Sequence, residues 1–219
     1  ASNFMSQLGN AANFIAYAFM GIPAGMLLQR IGYKKTALLA VTVGFIGVGI
    51  TFLSGIAESF AVYLVGAFIS GFSMCMLNTV VNPMLNTLAG GGNKGIQLGG
   101  SFNSISATIV PVLVGYLIGD LAQAKISNAD PALFLAMGIF ALAFVVLYFV
   151  NIPEPHIVKT SAKKEKSKHS ALSFRHFVLG TVAIFIYVGV EVGIPNFANL
   201  FMTSPEINID PTIAGSVVG

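Results

Sequence analysis

Between Leu77 and Asn103 the chain carries the amides Asn78, Asn82, Asn86, Gln97 and Asn103 inside otherwise very apolar sequence. Moving an amide from water into hydrocarbon with no partner costs roughly 4–8 kcal/mol. These side chains must therefore face another helix, water or a ligand. Asn78, Asn82 and Asn86 stand at i, i+4 and i+8. Each four-residue step on a helix precesses by about 40°, so the three share one broad stripe. A carboxamide donates and accepts hydrogen bonds, as a sugar hydroxyl does. The stripe suits a small neutral polyol, and it equally suits interhelical amide packing worth about 1 kcal/mol per contact. Both readings stay open for Asn78, Asn82 and Asn103. Asn86 lies near its helix end and is assigned to packing.

Glu191 is the carboxylate that lies well inside an apolar stretch. An ionised group there costs several kcal/mol, so it must be protonated, paired or in contact with water. That environment suits reversible protonation for coupling, or contact with a polar ligand; a paired structural carboxylate is the alternative. Pro195 and Asn196 follow closely and predict a helix broken toward its outer end, with Asn196 as a further substrate contact. His156, His169 and His176 have no metal-ligand spacing, and no nucleophile–base arrangement is present, so neither enzyme, metal nor cofactor is expected. Gly90-Gly91-Gly92 lacks the Gly-Lys-Ser/Thr ending of a phosphate loop and reads as a turn between helices.

The elements that position these residues follow from composition. The chain has 219 residues, 55% hydrophobic and 9% charged, with a mean hydropathy of +0.83. A soluble domain holds about 25% charged residues, so this is an all-α polytopic membrane protein. The lone Cys75 excludes an intrachain disulfide. A span needs about 20 apolar residues. The pattern predicts spans near 7–28, 36–53, 60–88, 96–118, 132–150 and 174–202, with a seventh opening at Pro211. The fifth, almost pure hydrocarbon, is expected to be the most lipid-exposed. Residues 152–173 hold a basic, Pro-flanked run without apolar periodicity and read as a linker. The chain divides accordingly into 1–151, the linker 152–173 and 174–219. It reads as the middle of a longer polypeptide.

Charge sets the topology. Arg30, Lys34, Lys35, Lys94 and the run from Lys159 to Arg175 fall on one side, ten of the eleven basic residues; Lys125 falls on the other. By the positive-inside rule the basic side, with the linker, is cytoplasmic, and a bacterial inner (plasma) membrane is expected.

The segment Gly25-Met-Leu-Leu-Gln-Arg-Ile-Gly-Tyr-Lys-Lys-Thr36 is a tight basic turn. It resembles the cytoplasmic loop motif of the major facilitator superfamily, with Gly25, Arg30, Gly32, Lys34 and Lys35 matching. Gln29 departs from it, standing where the motif has Asp. On that register the six full spans are helices two to seven, a seventh is begun, and the linker joins the two halves. The segments Asn78-Thr-Val-Val-Asn-Pro-Met-Leu-Asn86, Ser101-Phe-Asn-Ser104 and Tyr187-Val-Gly-Val-Glu191 are similar to the fucose permease and glucose/galactose transporter branch. That branch often has a carboxylate at the position of Asn78.

The resemblance implies a secondary transporter for a small neutral sugar, working by alternating access with proton symport as the default coupling and Na⁺ as the other candidate ion. Asn78, Asn82 and Asn103 would bind substrate from one half and Asn196 from the other, with Glu191 carrying the proton. The expected partners are the sugar, the ion and the lipid bilayer, without nucleic acid, and the expected state is a monomer. An exporter of apolar or cationic compounds and a non-transporting scaffold are the competing classes. The amide stripe argues against the exporter.

Overall fold

In the computed structural model, residues 3–91, 93–118, 129–152, 154, 173–204 and 206–218 are described. Most of the linker 152–173 and the loop 119–128 lie outside them. The chain forms two units, one of Ala1–Asn103 with Leu117–Val158 and one of Ser104–Tyr116 with Lys159–Gly219.

Helix α1 runs Asn3–Ile56. A straight helix of that length would measure about 80 Å, more than twice the hydrocarbon thickness of a bilayer. It is two limbs joined at Gly32, whose φ of 84° and ψ of 179° break the helix. That backbone conformation is open in practice to glycine alone. The two expected spans on either side of Gly32 are thus one helical hairpin.

Helix α2, Phe60–Leu88, packs against both limbs. Going along α2, its contacts with the first limb run forward: Tyr63 meets Gly9, Gly71 meets Asn13 and Ala16, and Cys75 meets Tyr17. Its contacts with the second limb run backward: Gly66 meets Thr51, Ser70 meets Gly47, and Ser73 bonds the Ala40 carbonyl at 2.6 Å. The first limb is therefore parallel to α2 and the second antiparallel. This is the alternation that successive membrane crossings require.

Small residues make these contacts possible. A Cβ on Gly71 would lie 2.7 Å from the Ala16 Cβ, and one on Gly66 would lie 2.7 Å from the Thr51 nitrogen. Lipid offers helices no hydrophobic drive to associate, so close backbone approach and hydrogen bonds take its place. The buried cluster of Ala24, Ala40 and Met76, flanked by Met20, Leu27, Val43 and Leu77, lies on the same seams.

Helix α3, Lys94–Ile118, follows a turn in which Gly90 and Gly91 take φ of 75° and 86°. Its first turns abut the end of α2, because a Cβ on Gly95 would lie 2.9 Å from that of Ala89. Helix α4, Asp130–Phe149, packs along the second limb, with the Phe52 and Phe134 rings 4.8 Å apart and Phe140 against Gly44. None of its residues is buried. Helix α5, Arg175–Met202, likewise buries none, so exposure does not single out α4.

In the second unit α5 packs against α6, Pro211–Val218. Five of the helices are long and apolar enough to cross a membrane, the first spanning Leu8–Ile56. Pro195 does not break α5, which is helical through it. Its missing N–H leaves the Glu191 carbonyl without its usual donor, and Asn196 Nδ2 reinforces the next carbonyl, Val192, at 3.0 Å. The expected discontinuity is therefore corrected: the amide beside the proline holds the turn together.

Candidate functional site: a polar pair in mid-span and a capped turn

Asn78 meets a partner that sequence reasoning missed. Its Nδ2 donates to the hydroxyl of Tyr17 on the first limb of α1. Tyr17 stands ten residues after Gln7 and eleven before Leu28, so it lies near the middle of its limb. One turn earlier, the Asn13 carboxamide oxygen is buried without a partner among the described residues. A tyrosine in mid-span needs a partner for its hydroxyl, and that need was the available signal.

Asn82 and Asn103 are exposed and have no hydrogen-bond partner among the described residues. The structure thus brings Asn78 to Tyr17, while Asn82 continues the stripe along α2 and Asn103 stands on α3. The Asn86 carboxamide oxygen is buried and meets no hydrogen-bond donor among the described residues.

Glu191 is exposed on α5, with Tyr187 one turn earlier on the same helix. Asn196 lies one turn beyond, with its Nδ2 turned back to the helix.

The basic turn is held from α4. The Glu154 carboxylate accepts from the backbone N–H of Tyr33 at 2.8 Å and of Lys34 at 3.0 Å. These are the first free donors of the second limb, and an acid there also complements the helix dipole. In return, Lys34 Nζ donates to the carbonyls of Tyr148 and Val150, both at 2.8 Å, where α4 ends. Each helix end is thus capped by a charge from the other. Gly32 lets the carboxylate approach, since a Cβ there would lie 2.8 Å from Glu154 Cδ. Thr36 Oγ1 closes the turn on the Gly32 carbonyl at 2.6 Å. Of the other motif residues, Arg30 and Lys35 are exposed, and Gly25 faces open space.

Long apolar helices, a glycine-broken basic turn and antiparallel packing of the first crossings describe a multi-pass membrane protein. Across residues 1–219 the chain matches the Major Facilitator Superfamily, and it belongs to that family.

Among its relatives is a glucose/galactose transporter of Brucella abortus, 30% identical over 211 residues, covering 92% of this chain and 49% of the relative. The L-fucose-proton symporter of Escherichia coli is 24% identical over 216 residues, covering 87% of this chain and 49% of that protein. The chain spans about half the length of the curated relatives it matches. A crystal structure of the E. coli fucose:proton symporter superimposes with a TM-score of 0.71 at 20% identity, covering 99% of this chain and 59% of that one. That likeness establishes the fold.

Proposed function

We propose that the protein is a secondary transporter that carries a small neutral sugar across the bacterial inner membrane by alternating access, coupled to protons. The observation that carries this reading is the Tyr17–Asn78 pair. It is polar, uncharged and placed in mid-span, in a chain whose relatives include proteins named as glucose/galactose and fucose-proton transporters. Uncharged donors and acceptors recognise hydroxyl groups without attracting ions.

In the first half, residues 1–151, Asn78, Asn82 and Asn103 are assigned to sugar contact. In the second, residues 174–219, Asn196 is assigned to sugar contact and Glu191 to the coupling proton. The linker 152–173 joins the halves on the cytoplasmic side, and the working unit is a monomer. Where the resembled branch often has an acid, this chain has Asn78, which cannot exchange a proton near neutral pH. That leaves Glu191 as the carboxylate that the described residues supply in mid-span.

The test uses proteoliposomes and labelled D-galactose, D-glucose and L-fucose. The wild-type protein is expected to exchange at least one of them in counterflow and to accumulate it when a proton gradient is imposed. Glu191→Gln is expected to abolish accumulation while leaving counterflow within about twofold. Equal accumulation by variant and wild type would remove the coupling role from Glu191. Absence of counterflow for all three sugars in the wild type would overturn the function itself.

A further inference from the structure

We propose that Tyr17 and Asn78 together read two adjacent hydroxyls of the transported sugar, with Tyr17 donating to one and Asn78 accepting from the next. This rests on the sugar-transport reading and adds the chemical feature of the substrate that the site selects.

The argument is one of remaining hydrogen-bond capacity. Asn78 Nδ2 donates to the Tyr17 oxygen. That bond makes the phenol oxygen an acceptor and directs its own proton away from Asn78. Among the described residues the proton meets no acceptor, and Asn78 Oδ1 meets no donor. The pair therefore presents a free donor and a free acceptor side by side.

In mid-membrane neither can be left without a partner at no cost. Two neighbouring ring hydroxyls offer the complementary set, because one oxygen can accept while the next hydroxyl donates. Their oxygens are spaced much as two hydrogen-bonded heavy atoms are. A single hydroxyl can meet both groups only by bridging them, whereas two adjacent hydroxyls meet each in its own direction; an apolar or cationic solute leaves the acceptor or the donor unmatched.

The close approach of the helices keeps this spacing. The Cys75 thiol lies 3.9 Å from the Tyr17 carbonyl, and Gly71 brings the α2 backbone against Asn13 and Ala16, one turn away. Tyr17 thus has two duties. It contacts the sugar itself, and it holds the Asn78 carboxamide in the orientation that turns Oδ1 outward.

A purely structural pair would give a different result, which the experiment separates. Counterflow kinetics are measured in proteoliposomes with whichever of D-galactose, D-glucose or L-fucose the wild type carries. The monodeoxy derivatives of that sugar are then compared as competitors. The wild type is expected to discriminate against loss of hydroxyl at two adjacent ring positions.

Tyr17→Phe keeps the ring and removes the donor. It is expected to raise KM for the parent sugar about threefold to tenfold with little change in the maximal rate. It is also expected to erase discrimination at one of the two positions and to weaken it at the other, because the phenol oxygen that orients Asn78 is lost with the donor. Asn78→Ala should erase discrimination at the other, and it keeps the proposal testable if Tyr17→Phe fails to reach the membrane. A deoxy-sugar profile unchanged from wild type in either variant overturns the diol reading while sugar transport stands. Failure of the wild type to carry any of the three sugars overturns the transport reading, and this one with it.

Discussion

Replacing Gly32 with alanine tests how the basic turn is built, because two separate effects meet at that residue. The first is backbone strain: φ of 84° with ψ of 179° is a conformation that alanine adopts at a cost of about 1–3 kcal/mol. The second is the loss of the cap. The new Cβ would lie 2.8 Å from Glu154 Cδ and 2.9 Å from Oε1, so the carboxylate must leave. Its two bonds to the Tyr33 and Lys34 N–H groups go with it. These are solvent-exposed, so each is worth about 1 kcal/mol after screening, below the usual range for a charged acceptor. Gly32→Ala should then destabilise by about 3–5 kcal/mol, and Glu154→Ala by about 2 kcal/mol. In the double variant the cap is lost only once, so its destabilisation should fall short of the sum by about 2 kcal/mol. The assay is unfolding of the purified protein in mixed micelles with rising SDS, across all four forms. Strict additivity would show that Gly32 and Glu154 do not act together, and a neutral Gly32→Ala would refute the backbone argument as well.

The reciprocal cap predicts that Lys34→Met, which loses both bonds to the end of α4, lowers stability by about 1 kcal/mol in the same assay; an unchanged midpoint would exclude it. Gly66→Val places side-chain atoms where a Cβ already stands 2.7 Å from the Thr51 nitrogen, so it should cost at least about 1–3 kcal/mol by spreading α2 from the second limb. Gly100→Ala has nothing within 4 Å of its new methyl and should be neutral, or stabilising by up to about 1 kcal/mol through helix propensity. Equal effects of Gly66→Val and Gly100→Ala would refute the account of helix contact.

The hydrocarbon spans were legible because their lengths and polar gaps are strong one-dimensional signals. Phe60 and Leu88 bound both the expected third span and α2. The turn at Gly32 was legible from its basic residues and its glycine. Its partner was not: Glu154 lies 120 residues beyond Lys34, and no local pattern connects them. The same limit hid Tyr17, which meets Asn78 across 61 residues. Pro195 misled for a different reason. Proline removes a donor, which sequence shows, but Asn196 compensates through its side chain, which only the backbone geometry reveals.

The two charged and polar features then divide the work by depth. At the turn, a full carboxylate and a full ammonium are tolerable because both are exposed to water and each faces an unsatisfied helix end. Where α1 and α2 meet in mid-span an ionised group would cost several kcal/mol, and the chain places a phenol and an amide at that contact. A neutral pair can release and rebind a hydroxyl-bearing solute without moving charge across the membrane. The substrate step and the proton step can therefore sit on different residues, Tyr17 with Asn78 for one and Glu191 for the other. Separating them experimentally is possible for that reason: a variant at Tyr17 should alter which sugar is carried, and a variant at Glu191 should alter whether it is concentrated.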